Sequence, residues 1–294
     1  ESRGRDSLGI SINLVSNTLL NIKKTKIKNN KNINIFKNTI NKNKYFTNIT
    51  IKYAKRIGYS GDNTRKILKL ISTKKLFSKL DFSNLISTDL IAHTRWASVG
   101  DVNLSNTHPL IEKKNNLINL SFMNGDINNY NLLKKQLINE KKFILSDKKC
   151  TNDLQPISSL ILYKYKKIND ILNGSYVLIN FNSQNFNKID IYKKGSQGIY
   201  YTLDSDDNFH VASDVYGLIN KSNKFEKLIA DGKFSINKEF INKLKKKKFS
   251  NTELMTNDLS KKGFNRFFLK EVNDTEIFLK RTINNYLNFK KSIF

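Results

Sequence analysis

Ser7–Ser16, SLGISINLVS, alternates apolar and polar positions and is rich in β-branched residues, which predicts a strand with two unlike faces. The pattern then dissolves. From Asn21 to Lys44 the chain runs NIKKTKIKNNKNINIFKNTINKNK, a low-complexity, highly charged stretch expected to be a solvated insertion or long hairpin excursion, not a packed core element. Order returns in YAKRIGYSGDNTRKILKLISTKKLF, a helix that Asp62 or Asn63 could cap. DLIAHTRWAS and NLINLSFMNGDI predict two further strands. Leu132, Leu133 and Leu137 give Tyr130–Lys141 a helical period. LQPISSLILYKYKK follows as a helix, with Asn152 or Asp153 as its cap and Pro156 in its first turn. After Gly174 the segments SYVLINFN, KIDIYKKG, IYYTLD and NFHVASD are strands joined by Asn, Asp and Gly turns. Strands, helices and then a run of hairpins predict an α+β fold with mainly antiparallel sheets.

Composition changes this picture little. The 294 residues suffice for one large domain or two small ones with a real core. The net charge of +27 raises a basic nucleic-acid-binding domain as one reading. Scattered lysines, only seven arginines against forty-five lysines, and no RNA-binding aromatic motif favour a general drift toward Lys and Asn, with no nucleic-acid partner. Cys150 is the only cysteine, which excludes an intrachain disulfide and a cysteine-based zinc site and suits a reducing compartment. No apolar run approaches the roughly 20 residues that span a membrane, so no membrane partner is expected. His93 and His108 have no ligand partner at useful spacing, and no metal or cofactor is expected. The chain begins at Glu1, not Met, the mark of processing or of an excerpt.

Five pieces stand in order along most of the chain: ESRGRDSLGISI, IAHTRWASVGDVNLSNTHPL, SFMNGDINNYNLLKKQL, TNDLQPISSLI, and GSYVLINF followed by FHVASDVYGL. An Asn-Gly pair alone would be only a turn, but together the pieces resemble the class II glutamine amidotransferase (glutaminase) domain. That resemblance implies the four-layer αββα sandwich of N-terminal-nucleophile hydrolases, built on two antiparallel sheets. The form HTRWA is most similar to the glutamine–fructose-6-phosphate aminotransferases (glucosamine-6-phosphate synthases); the phosphoribosyl pyrophosphate amidotransferases usually have Tyr where Trp96 stands. FNRFFLKEVNDTEIFLKRT, Phe264–Thr282, looks like the segment leading from their glutaminase domain into the sugar-isomerase half. Arg266 stands there in place of a usual His, and Thr275-Glu276 in place of a usual Gln-Pro. The implied organisation is a glutaminase domain over 1–255, with the Lys/Asn-rich insertion near 21–44, and a connecting segment over 256–294.

The resemblance also implies roles. Arg95 offers a planar fork for the glutamine carboxylate, and Asp153 a counter-charge for its ammonium. Asn124 and Gly125 match the oxyanion hole, Trp96 a mobile loop closing over glutamine, and Ser98 stands for a usual Thr. Val99 replaces a usual His, and Arg3, with Asp6, matches the RG-x-DS signature, Arg3 in a supporting role. The family's nucleophile is an N-terminal cysteine whose own amine is the base. Glu1 stands first here, and Cys150 lies in a Lys-rich loop without a neighbouring base, so the chain by itself is expected to be inactive. The implied partners are L-glutamine and, through domains absent here, fructose 6-phosphate, in a homodimer working in the cytoplasm. A catalytically dead glutaminase-like binding domain, or an amidotransferase with another acceptor, stays open beside this reading.

Overall fold

The computed structural model describes residues 4–20, 22, 30–55, 59–74, 77, 80–139, 146–163, 167–251, 263–265 and 267–286. In chain order the elements are β1 (Ser7–Ser16), β2 (Ile33–Asn41), β3 (Lys44–Ala54), α1 (Asp62–Lys74), β4 (Leu85–Arg95), β5 (Leu110–Lys114), β6 (Leu117–Ile127), α2 (Tyr130–Asn139), α3 (Leu154–Leu162) and α4 (Ile168–Ile171). They continue with β7 (Gly174–Asn182), β8 (Ile189–Lys194), β9 (Tyr200–Leu203), β10 (Phe209–Ala212), β11 (Lys224–Lys227), β12 (Gly232–Ile236), α5 (Lys238–Leu244), β13 (Ser250–Asn251) and α6 (Phe267–Tyr286). The chain divides into two compact units, one of residues 1–198 and 229–246, the other of 199–228 and 247–294.

The larger unit is built on two antiparallel sheets, ordered β2-β3-β1-β4 and β12-β8-β7-β6-β5. Strand alternation decides what each face meets. On β1 and β3, Leu8, Leu14, Ile49 and Ile51 point to one side and pack with Ile67 of α1, with Leu70 and Ile71 of the same helix against them. The other faces of the two sheets meet: Val15 and Phe46 from the first sheet cluster with Ile118, Leu120, Phe122 and Phe181 from the second. Phe46 and Phe181 stack with ring centroids 5.3 Å apart. The far side of the second sheet carries Met123, Ile127, Tyr176 and Leu178, which pack with Leu154, Ile157 and Ile161 of α3 and Leu133 of α2. Helix, sheet, sheet and helix therefore lie in four layers, the αββα arrangement of an α+β fold. α3 is the buried member of the outer layer, with all nine residues inside. Its Ser158 joins Asn119, Ser121 and Asn180 in a hydrogen-bonded polar network under the helix.

One expectation is corrected. The Lys/Asn-rich stretch contains β2, an edge strand of the first sheet that packs into the core. Its INIF segment alternates as β1 does, so Ile33 and Ile35 join the α1 side and Phe36 the inter-sheet cluster. The excursion is a β2–β3 hairpin, and the lysines mask its period. β5 was not foreseen at all, because its charged sequence LIEKK hides an alternation in which Leu110 and Glu112 are both buried.

The smaller unit holds the sheet β10-β9-β11-β13 and α6. Its β9–β10 turn is organised by Asp204, which accepts the Asp206 and Asn208 amides and lies 2.8 Å from His210 Nε2.

Candidate active site

β1 pairs with β4 so that Ser7 faces Arg95, the last residue of its strand. Beyond Arg95 the chain leaves the sheet and is held by side chains. The Ala97 amide donates to Asp6 Oδ2 at 2.9 Å, and the Ser98 hydroxyl donates to Asp126 Oδ1 at 2.6 Å. Arg95 is buried, and its guanidinium donates to the backbone carbonyls of Val99, Gly100 and Asp101. Its planar fork thus organises the turn over residues 99–101. Burial pulls the Arg95 pKa below its ordinary value, and the nearby Asp153 and Asp6 carboxylates oppose that pull. Trp96 is 67% exposed, with the Arg5 guanidinium carbon 5.9 Å from its ring centroid.

Asn124 and Gly125 lie near the end of β6, paired with Val177 and Tyr176 of β7. Gly125 has φ +104°, and a Cβ there would come within 2.1 Å of the Ser175 carbonyl oxygen, so only glycine fits. Asn124 Nδ2 donates to Gln197 Oε1 at 3.1 Å. The loop carrying Gln197 is itself fixed: the Ser196 amide donates to Ser175 Oγ, and the Gly195 amide to the Asp231 carboxylate.

Asp153 is buried, and its Oδ2 accepts the Ile127 amide at 2.9 Å. The capping role at α3 falls to Asn152, whose Oδ1 accepts the Leu154 amide. Burial pushes the Asp153 carboxyl up to about 6, and the neighbouring Asp126 charge adds to the rise. Two strands from different sheets thereby bring Arg95, Ser98, Asn124, Gly125, Asp126 and Asp153 into one linked group. Arg3 lies outside the described residues.

His93 and His108 are a buried pair with ring centroids 4.4 Å apart. Burial drives the His93 pKa down to about 4 and that of His108 well below its ordinary value, so both rings are neutral at pH 7. β5 begins at Leu110, opposite Ser121, which leaves the Met123 amide beyond the reach of that strand; His108 Nδ1 accepts it instead. Among the described residues no group of three or more His, Cys, Asp or Glu could hold a metal, and no helix is long and apolar enough to cross a membrane. Cys150 is buried in the core beside α3, and burial pushes its thiol up to about 11. A cavity of about 430 Å³ is lined by Lys52, Glu112 and Cys150 among others, and by none of the residues singled out from the motifs.

Two residues at the site were not foreseen. Asp126 directly follows the Asn-Gly pair, and that adjacency was the available signal. Gln197 had none, since 73 residues separate it from Asn124.

No family model matches the chain. It is similar to the isomerizing glutamine–fructose-6-phosphate aminotransferase of Chlorobaculum tepidum, at 26% identity over 250 residues, covering 74% of this chain and 39% of that protein. The Francisella tularensis enzyme of the same name is 26% identical over 274 residues, covering 83% and 43%, and the Buchnera aphidicola one 26% identical over 269 residues, covering 82% and 42%. Among solved structures, the glutamine phosphoribosylpyrophosphate amidotransferase of B. subtilis, complexed with ADP and GMP, aligns with a TM-score of 0.39 and 13% identity over 79% of this chain and 49% of that one. The chain spans about two-fifths of the length of the curated relatives it matches. It is a distant homologue of these aminotransferases over their N-terminal amidotransferase region, and so a class II glutamine amidotransferase domain-like protein.

Proposed function

We propose that this chain is the glutamine-binding glutaminase portion of a glucosamine-6-phosphate synthase, which supplies ammonia from L-glutamine to fructose 6-phosphate. The observation that carries the reading is the convergence of the Arg95 loop and the Asn124-Gly125 strand end, tied by the Ser98–Asp126 hydrogen bond. In this reading residues 1–255 form the glutaminase domain and 256–294 connect it toward sugar-isomerase domains, in a homodimer.

Each residue then has a chemical task. Glutamine's α-carboxylate takes up donors of the Arg95 fork in place of loop carbonyls, and Asp153 supplies negative charge toward the α-ammonium. Trp96 closes over the substrate, Ser98 contacts it from the same loop, and Arg3 supports the site. When a thiolate attacks the side-chain amide, negative charge develops on the amide oxygen. The Asn124 side-chain amide and the Gly125 backbone N–H donate to that oxygen, each worth about 3 kcal/mol in the transition state. Cys150 does not supply the thiol, since it is buried and held protonated. The burial of Cys150 also favours a second reading, a glutamine-binding domain that carries out no chemistry itself; glutaminase assay of the full-length protein separates the two.

Isothermal titration of residues 1–294 with L-glutamine tests the shared core of both readings. Saturable binding of glutamine, and none of asparagine, is expected; absence of any glutamine binding overturns them.

A further inference from the structure

We propose that Asp126 is a specificity-determining residue of the candidate site, the carboxylate that receives the α-ammonium of glutamine alongside Asp153. The proposal rests on the glutaminase reading and deepens it.

The argument begins with strand geometry. Met123 and Ile127 point into the core beneath α3. Alternation therefore places Asn124 and Asp126 together on the opposite face of β6, two residues apart, a separation of about 6.6 Å along the strand. That repeat is comparable to the span of an extended glutamine from its side-chain amide to its α-ammonium. A substrate whose amide sits at Asn124 and Gly125 can thus set its α-carbon end beside Asp126.

Exposure separates the two carboxylates. Asp153 is 3% exposed and already accepts the Ile127 amide, whereas Asp126 is exposed. The Ser98 hydroxyl donates to Asp126 Oδ1 and fixes the carboxylate toward the loop that begins at Arg95. A ligand that presents its carboxylate to Arg95 carries an ammonium on the same carbon, and Asp126 is an exposed acid whose carboxylate is hydrogen-bonded to that loop through Ser98. A single negative charge at this point attracts the ammonium and gives nothing to a ligand that lacks one.

The test compares L-glutamine with glutaric acid monoamide, the same molecule without its α-amino group, by isothermal titration of residues 1–294. Wild type is expected to prefer glutamine. Asp126→Asn is expected to lose at least about tenfold in glutamine affinity while its affinity for the monoamide stays unchanged. Asp126→Glu, which keeps the charge, is expected to retain the preference. Asp126→Ser provides a second neutral variant, and thermal melts followed by circular dichroism establish that each variant is folded. An equal loss for both ligands, the signature of Asp126 merely pinning Ser98, overturns the proposal, as does an unchanged preference in both neutral variants. Wild-type protein that binds neither ligand overturns the glutaminase reading itself, and this proposal with it.

Discussion

Gly125 carries the sharpest steric demand at the candidate site, because its backbone is left-handed and the Ser175 carbonyl fills the space a side chain would need. Gly125→Ala is therefore expected to cost about 2–3 kcal/mol in urea denaturation, with the strain falling on the strand end that presents Asn124. Arg95 makes a different demand. Its guanidinium spans the carbonyls of Val99, Gly100 and Asp101, and one ammonium cannot reproduce that fork. Arg95→Lys should raise the glutamine Kd by at least about tenfold in titration, and an unchanged Kd would remove Arg95 from the site. Asp153 ties function to stability. Its carboxyl titrates near 6 in the fold, against an ordinary value of 3.8. Below pH 3.8 it is protonated whether the chain is folded or not, and it costs nothing. As pH rises from 3.8 to about 6 the unfolded chain releases this proton more readily, so the contribution turns unfavourable and stays so above that range. Asp153→Asn keeps an oxygen for the Ile127 amide and avoids the buried charge. It should be more stable than wild type by about 1–3 kcal/mol at pH 7, a gain that vanishes at pH 3.5 while glutamine binding weakens.

At the scale of elements, period decided what the sequence could reveal. β1 was legible to the residue because one face is aliphatic from Leu8 to Leu14 and the other is small or polar apart from Val15. α3 was legible from its apolar run and the Asn152-Asp153 pair ahead of it, although which of the two capped it was not. β2 escaped because it is embedded in a run of lysines and asparagines, and β5 because Lys113 and Lys114 occupy its exposed positions. The site followed the same division. Arg95, Asn124, Gly125 and Asp153 could be proposed as candidates because each sits in a contiguous motif, and Gln197 could not because only the folded second sheet brings it to Asn124. The hidden strand is open to a direct test. Ile33 is buried on the α1 side of the first sheet, in a segment whose composition reads as solvated. Ile33→Ala is expected to destabilise the chain by about 2 kcal/mol in urea denaturation, where a solvated residue would change stability by less than about 0.5 kcal/mol.

For the molecule as a whole, the question is whether residues 1–294 can perform chemistry or only hold a substrate. In the proposed glutaminase chemistry a thiolate attacks the amide, and the one thiol in the sequence lies in the core beneath the second sheet with its pKa raised to about 11. At pH 7 only roughly one such thiol in ten thousand is ionised, and burial denies that fraction access to a substrate. Alkylation of Cys150 by iodoacetamide should therefore be negligible in the native protein and accelerate sharply across the urea unfolding transition. Cys150→Ser should leave the glutamine Kd unchanged, because the thiol is part of the apolar packing beside α3. A purified polypeptide of residues 1–294 should accordingly bind glutamine yet release no glutamate or ammonia above the buffer rate. Turnover that disappears in Cys150→Ser would establish Cys150 as the nucleophile and overturn this assignment. Turnover that survives the substitution would require a non-thiol mechanism at Asn124 and Gly125.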